Sequence, residues 1–300
     1  MSAQGSAIVQ ETAVIRPASR GFWGRARKMW RDQPLGVVGA ALVLLMVAVA
    51  AFAEVIAPYS PLMTHRGLSF APPSLRFWLG TDELGRDVLS RVLYGSRLSL
   101  YVGLVSVFIG TSIGAVVGVV SGYAGKRVDI LLQRIIDTIM AFPTLILALA
   151  IVAVLGPSLD NVVIAVSVVL IPRGARVLRS AALSVKENPY VEAARAIGCS
   201  NTRVLLRHVA PQCVAPYIIV ATAAIGWAIT VEATLNFLGV GAPPPTPSWG
   251  AMLSGAGRQH LETSPWIAIS PGVALSLTVF GFSLLGDALR DVLDPRLRRA

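Results

Sequence analysis

The sequence predicts an all-α polytopic membrane protein with six transmembrane helices and both termini in the cytoplasm. Hydrophobic residues make up 54% of its 300 residues and charged residues only 14%, and the mean hydropathy is +0.67. This composition is typical of integral membrane proteins. Most of its six apolar segments reach the ~20 residues that a helix needs to cross the hydrocarbon. They lie at residues 35–57, 98–120, 130–155, 162–177, 215–240 and 266–285.

Positive charge is concentrated in the segments that this topology places in the cytoplasm. The cytoplasmic segments carry seventeen of the 26 Lys and Arg residues and the extracytoplasmic segments carry six, while Arg134, Arg173 and Arg176 lie within spans. This asymmetry follows the positive-inside rule. The net charge of +10 therefore reflects orientation in a lipid bilayer, and we expect no nucleic-acid partner.

Residues 1–34 are predicted to form a cytoplasmic N-terminal tail. Roughly thirty polar and basic residues precede the first apolar segment, and that segment is longer than the ~7–15 apolar residues of a signal peptide. Residues 35–57 are therefore interpreted as an uncleaved first transmembrane helix.

Two outer loops are predicted. Residues 58–97 form an extracytoplasmic loop that ends in an amphipathic segment, and its acidic stretch at residues 80–88 lacks the twelve-residue ligand pattern of a calcium loop. Residues 241–250 form a proline-rich loop that contains Trp249, which we expect at the membrane interface.

The second span carries glycines at a strict interval of four: Gly110, Gly114, Gly118 and Gly122. Residues four apart share one helix face, and small residues let two helices approach closely. The stripe predicts close packing against another helix, in this chain or in a partner.

Ionisable residues interrupt the next two spans. In the third span, Arg134 and Asp137 lie three apart and are expected to pair on one face, and Pro143 is expected to kink the helix. In the fourth span, Arg173 and Arg176 break the apolar pattern. We retain this span because Arg side chains can extend to the interface near a helix end.

Three polar residues are candidates for a translocation path: Glu232 and Asn236, four apart in the fifth span, and Asp137 in the third. Ionisable groups in lipid are costly and commonly functional. The alternative is a buried polar contact between helices. The sequence favours that alternative for Asp137, which Arg134 can neutralise, and favours the path for Glu232, which has no cationic residue within one turn.

Residues 178–212, the coupling loop, are predicted to form two short helices joined by a glycine hinge on the cytoplasmic face. Asn188 and Ser200 are expected to cap the two helices. Gly198 is expected to end the first helix and Pro211 the second. The alternative interpretation is an ordinary amphipathic cytoplasmic loop.

The first of these short helices has features suited to contact with another protein. Glu192 falls in its first turn, where negative charge is favoured. Ala193 and Ala194 favour helix and keep its surface low, so that another surface can approach.

No catalytic or metal-binding pattern is evident. Residues 122–127 resemble a phosphate-binding loop, but they lack its first glycine at the right distance and the Ser or Thr after the lysine. His65, His208 and His260 are scattered, without metal-ligand or catalytic spacing. We therefore expect a protein that is not an enzyme, has no catalytic residues and binds no metal or cofactor.

The chain resembles the second permease subunit of the dipeptide/oligopeptide/nickel class of ABC importers from about residue 35 to 298. The segment at residues 190–198 is similar to the "EAA" loop of these permeases. One departure is His208-Val209-Ala210-Pro211, where the family usually has a larger aliphatic residue before the proline. Five motifs carry the resemblance, at residues 79–88, 137–143, 190–198, 237–249 and 291–296.

The resemblance implies a type I ABC importer permease fold, with a five-helix core at residues 98–290 and a cytoplasmic tail at residues 291–300. It implies a bacterial inner-membrane complex with a homologous second permease, an extracytoplasmic solute-binding protein and two ATP-binding cassette subunits, which use ATP and Mg. The residues implied to couple to these ATPases are Glu192, Ala193, Ala194, Gly198 and Pro211.

The substrate implied by the resemblance is a peptide, with a di- or oligopeptide expected. Nickel, glutathione or another small solute are the alternatives within the same class. A stand-alone secondary transporter or channel, driven through Glu232 or Asp137, is a less favoured alternative, because no inverted repeat is evident in the sequence.

Overall fold

The structure, a computed structural model, describes residues 33–293, apart from the side chains of residues 256 and 257. Within this range the regular elements are all helical. Five helices are long and apolar enough to span a membrane, and two shorter helices that meet at an 88° bend make a sixth span when the pair is counted as one. The predicted all-α polytopic architecture is confirmed, with five or six candidate spans. The two tails lie almost entirely outside the described residues, so their cytoplasmic location stays a prediction.

The helices are numbered in chain order, with a π-helical segment (Leu205–Val209) and a 3-10 segment (Ala210–Cys213) between α8 and α9. They are α1 (Pro34–Ala51), α2 (Ala53–Ile56), α3 (Val88–Ala124), α4 (Lys126–Met140), α5 (Thr144–Leu155), α6 (Leu159–Lys186), α7 (Pro189–Ala196), α8 (Asn201–Val204), α9 (Val214–Phe237), α10 (Trp249–Leu253), α11 (Gly255–Gln259) and α12 (Trp266–Leu293).

The longest helix contact joins α3 to α6 and uses the glycine stripe. The four glycines of α3 face four backbone carbonyl oxygens that also recur every fourth residue along α6. Because glycine has no Cβ, the two backbones approach closely along several turns. The packing prediction is confirmed, with the partner helix in the same chain. The facing pairs are Gly110 with Ser167, Gly114 with Ile171, Gly118 with Ala175 and Gly122 with Arg179.

The remaining spans assemble around this pair. Helix α9 packs against both α3 and α12, and α1 packs against α12 and, less extensively, against α3. Side chains from α3, α6 and α9 fill the central core, including the fully buried Val102, Leu170 and Ile229. The apolar core thus fixes α6 and α9, the two helices on either side of the coupling loop.

The third span is broken rather than kinked. The sequence predicts one helix over residues 130–155, but α4 ends at Met140 and α5 starts at Thr144, with an 88° bend between them. Pro143 is the N-cap of α5. Proline removes a backbone donor and disfavours helical conformation in the preceding residue, so the chain turns at residues 141–143.

Several spans are longer than their apolar segments, and α3 and α6 are two examples. Helix α3 begins at Val88, within the predicted outer loop, where Asp87 accepts a hydrogen bond from the Ser90 amide at 2.8 Å. Helix α6 continues to Lys186, so the first part of the coupling loop extends a membrane-spanning helix. Hydropathy misses these ends because they are polar although helical.

Trp249 is a core residue, so its side chain is not the exposed interfacial anchor that the sequence predicts. Its side chain is 1% exposed, and its indole Nε1 donates a hydrogen bond to the carbonyl oxygen of Val92 at 3.0 Å. The indole packs against Gly95 of α3, which leaves room for the ring. This contact holds the second outer loop against the start of α3.

Candidate functional site

Helix α7 of the coupling loop starts after Asn188 as predicted, but the Asn188 side chain does not cap it. Pro189 occupies the first turn, where its missing N–H costs little. The Asn188 amide instead donates hydrogen bonds to the backbone oxygens of Ser184 (3.3 Å) and Val185 (2.9 Å). It satisfies carbonyls at the end of α6, so the predicted capping role is wrong.

Helix α7 ends at Gly198 in the left-handed conformation that the sequence predicts, with φ +86°. The amide of Cys199 donates to the oxygen of Ala194 at 3.1 Å, and the amide of Gly198 donates to that of Arg195 at 2.9 Å. These two bonds form a Schellman motif. No atom lies within 4 Å of where a Cβ would stand on Gly198, so the backbone conformation alone favours glycine there.

One face of α7 is buried and the other is open. Val191 and Ala194 are buried. Ala194 therefore packs against the rest of the subunit and does not belong to the exposed surface of α7. Glu192 and Ala193 lie on the open face, and Ile197 at its end is 82% exposed. The buried side packs against Leu178, Val204, Val209 and Cys213.

Pro211 does not end the second helix of the coupling loop, contrary to the prediction. Ser200 caps α8 as predicted, accepting from the Arg203 amide at 3.4 Å. The chain then stays helical from Asn201 to Phe237. It widens into the π segment and tightens into the 3-10 segment, which places Pro211 in a first turn where a missing donor is tolerated.

Aromatic contacts attach α7 to the neighbouring helices. The Tyr190 hydroxyl donates to the carbonyl oxygen of His208, in the π segment, at 3.2 Å. The Tyr123 hydroxyl, at the end of α3, donates to Oδ1 of Asn201 at 3.1 Å. The Arg195 guanidinium lies 5.5 Å from the centroid of the Tyr123 ring. Displacement of α7 would therefore be carried to both α3 and α9.

Glu232 and Asn236 are buried inside the subunit. The Ser99 hydroxyl of α3 donates to Glu232 Oε2 at 2.9 Å, and the Asn236 amide donates to Glu232 Oε1. Asn236 Oδ1 accepts from the amide of Ala242 at 2.7 Å. These bonds join α3, α9 and the second outer loop, so the geometry favours the alternative of a structural contact, and their role in a path stays a prediction.

Asp137 is half-exposed and pairs with Arg176, not with Arg134 as predicted. The Arg176 Nη2 donates to Asp137 Oδ1 at 2.9 Å. The expected partner lies on the same helix, but the ion pair forms between α4 and α6. Asp129, two turns earlier on α4, likewise accepts two bonds of 2.6 Å from Arg179 of α6.

A cavity of about 250 Å³ lies beside the break in the third span. Its walls come from both halves of the broken span, from α6 and from α9. Arg173 of α6 and Trp227 of α9 are among its lining residues. In the sequence, Arg173 stands out only as an interruption of the fourth span. One sequence signal could have identified Arg173: it lies deep in a span, and the preceding span contains a proline.

Within the described residues, no group of three or more His, Cys, Asp and Glu side chains is placed to hold a metal ion. Cys199 and Cys213 are free thiols. The features described above are therefore helix ends, aromatic contacts and ion pairs between helices.

Two family models match the chain. Residues 114–299 match the model described as "Binding-protein-dependent transport system inner membrane component". Residues 21–73 match the "N-terminal TM domain of oligopeptide transport permease C". The first match covers the last three glycines of the stripe, the broken span, the coupling loop and the fifth and sixth spans.

Curated relatives are similar over nearly the whole chain. The dipeptide transport system permease protein DppC of Alkalihalophilus pseudofirmus is 41% identical over 276 residues, covering 92% of this chain and 90% of that protein. The glutathione transport system permease protein GsiD of Escherichia coli O157:H7 is 42% identical over 295 residues, covering 97% of each.

The fold matches a solved ABC importer. The inward-facing MetNI methionine ABC transporter aligns with a TM-score of 0.55 at 19% identity, covering 68% of this chain and 96% of that chain. From the family match, the curated relatives and the five or six candidate spans, we conclude that the chain is a multi-pass inner-membrane protein and a non-enzymatic subunit that belongs to the family of ABC importer permeases, the binding-protein-dependent transport system inner membrane components.

Proposed function

We propose that this chain is the second permease subunit of an ATP-driven peptide importer. It pairs with a homologous permease to form the translocation path, receives peptide from an extracytoplasmic solute-binding protein, and rests through α7 on one of two ATP-binding cassette subunits. Those subunits hydrolyse ATP with Mg, and this chain binds neither. The peptide substrate is supported by the similarity to DppC.

The proposed coupling to an ATPase subunit is supported by α7, which has one exposed face and is attached to the rest of the subunit through its buried face. Glu192 and Ala193 are exposed on this face, whereas Val191 beneath them is fully buried. A low, partly charged surface suits contact with another protein. Because Gly198 and Pro211 shape the chain on either side of α8, they set the position of α7 relative to α9.

The coupling loop is connected directly to the fifth span, and this connection explains how ATP binding would change the conformation of the translocation path. The helical stretch Asn201–Phe237 leads from the coupling loop through span five without a loop. Tyr190 attaches α7 to this stretch, and the contact of Arg195 with the Tyr123 ring attaches α7 to α3. A shift of the ATPases on closing would therefore tilt α9 rather than flex an intervening loop.

Uptake by the reconstituted complex tests this function. Proteoliposomes that contain both permeases and both ATPases are supplied with the binding protein, dialanine and ATP. We expect Glu192→Lys to abolish uptake and leave membrane insertion intact. Asp287→Lys, the same charge reversal at an exposed position of α12 outside the five motifs, serves as the control and should retain uptake. Normal uptake by Glu192→Lys would contradict the docking role.

Glutathione is the second candidate substrate. It is favoured by the similarity to GsiD, which extends over 97% of both chains. Glutathione is itself a small peptide with free carboxylates, so the two candidates need the same kind of path. Competition between labelled dialanine and unlabelled glutathione in the same proteoliposomes decides between them.

A further inference from the structure

We propose that the cavity at the break of the third span binds the carboxylate of the transported peptide, and that Arg173 is the residue that recognises it. This proposal rests on the proposed peptide transport, and it adds a specific residue and a chemical group to it. The proposal stands on the position of Arg173, the absence of a carboxylate partner for it, and the composition of the cavity.

Arg173 lies deep in its helix. It is fourteen residues after Leu159, the start of α6, which corresponds to about 21 Å along the helix axis. Trp227, which lines the same cavity, lies near the middle of α9. The cavity is therefore within the membrane-spanning part of the subunit, where an ionised side chain is costly and commonly marks a path for a substrate.

The guanidinium of Arg173 has no carboxylate partner in the described residues, where no acidic oxygen lies within 4.0 Å of it. One turn further along α6, Arg176 takes the nearby carboxylate of Asp137 at 2.9 Å. Asp137 therefore pairs with Arg176 and not with Arg173, whose positive charge at the cavity wall has no anion beside it in the described residues. An anionic group from outside the subunit would neutralise it.

The rest of the cavity suits a small peptide. Its volume of about 250 Å³ is close to the lower end of the ~300–1,000 Å³ of small-molecule sites. Met140, Phe142 and Trp227 supply apolar surface for a side chain. Thr144 begins α5 at the same wall, and the backbone amides in its first turn add positive potential of the same sign as Arg173.

The carboxylate preference is measurable in the complete complex. Uptake of dialanine and of its C-terminal amide is compared in proteoliposomes, each presented on the binding protein. The preference of the binding protein itself is the same for every permease variant, so it cancels when the acid-to-amide uptake ratios of two variants are compared. ATP hydrolysis stimulated by the loaded binding protein is recorded in parallel.

We expect Arg173→Gln to lower dialanine uptake, and the acid-to-amide ratio, about tenfold, because a charge-assisted hydrogen bond is lost. Stimulated ATP hydrolysis should persist, since the coupling loop is unchanged. Arg173→Lys keeps the charge and should recover part of the ratio. The control is Arg134→Gln, which removes an exposed cation from α4 that does not line the cavity; its ratio should stay within about twofold of wild type.

Three results separate the proposals. An unchanged ratio in Arg173→Gln, with or without loss of overall uptake, overturns carboxylate recognition, because Arg173 would then pair with the second permease or with lipid phosphate. An equal fall in Arg134→Gln assigns the effect to general positive potential and also overturns it. Failure of the wild-type complex to import dialanine and glutathione contradicts the proposed function instead.

Discussion

Gly114 of α3 lies directly against the backbone carbonyl of Ile171 on α6. A Cβ at position 114 would stand 2.5 Å from that oxygen and 2.9 Å from the amide nitrogen of Ala175, closer than atoms in van der Waals contact. Both obstacles are backbone atoms, so no side chain can rotate away to make room. The contact fixes the spacing of the two helices that form the centre of the subunit.

We therefore expect Gly114→Ala to destabilise the subunit by about 1–3 kcal/mol, the usual cost of overpacking a close contact. The melting temperature of the purified complex in detergent measures this. Gly272→Ala in α12 is the matched control, because its Cβ would meet only a side-chain carbon of Leu253 at 3.7 Å. Equal melting temperatures for the two variants would contradict the account of the stripe.

At Gly198 the constraint is conformational and not steric. Its φ of +86° is costly for most residues but tolerated by asparagine, and the space around it is empty. We expect Gly198→Asn to retain uptake of dialanine and Gly198→Val to lose most of it. If both variants transport alike, the Schellman turn does not position α7.

Glu232 is expected to hold α3 against α9. Glu232→Gln preserves the shape and can keep a hydrogen bond to Ser99, so we expect uptake and melting temperature close to wild type. Glu232→Ala leaves Ser99 and Asn236 without their partner in a buried site and should lower the free energy of unfolding by about 1–3 kcal/mol. Loss of uptake in Glu232→Gln with unchanged melting would favour the path role instead.

The ion pair between Asp137 and Arg176 should contribute little to stability. Both side chains are about half-exposed, at 50% and 52%, and exposed pairs are worth only ~0–1 kcal/mol. A double-mutant cycle with Asp137→Asn and Arg176→Gln measures the coupling energy from thermal unfolding of the complex. A coupling energy well above this range would mean that the pair is shielded in the assembled complex.

Local backbone chemistry was predictable only in part, since Asn188 does not cap α7 and Pro211 does not end a helix. Gly198 and Ser200 end and start helices as their residue types indicate, and the spacing of the glycines in α3 indicates a packed face. Partners across helices were less predictable. Asp137 has a cation one turn away in sequence, yet α6 brings Arg176 closer in space. Sequence separation does not show which of the two is nearer.

Pro211 and Pro143 show why proline alone does not locate a helix end. At Pro143 the chain breaks and turns by 88°. At Pro211 it continues, because a π segment and a 3-10 segment shift the backbone hydrogen bonds around the missing donor. The outcome depends on packing: Val204, Val209 and Cys213 are buried against α6 and α7, which holds this stretch in a helical path.

The proposed function requires the open face of α7 to contact an ATPase subunit. A photo-crosslinking residue at position 193 in the assembled complex probes this contact, with the outer-loop position 246 as the control. We expect a crosslink to the ATPase from position 193 and none from position 246. Absence of an ATPase crosslink from position 193 in a complex that transports dialanine would contradict it.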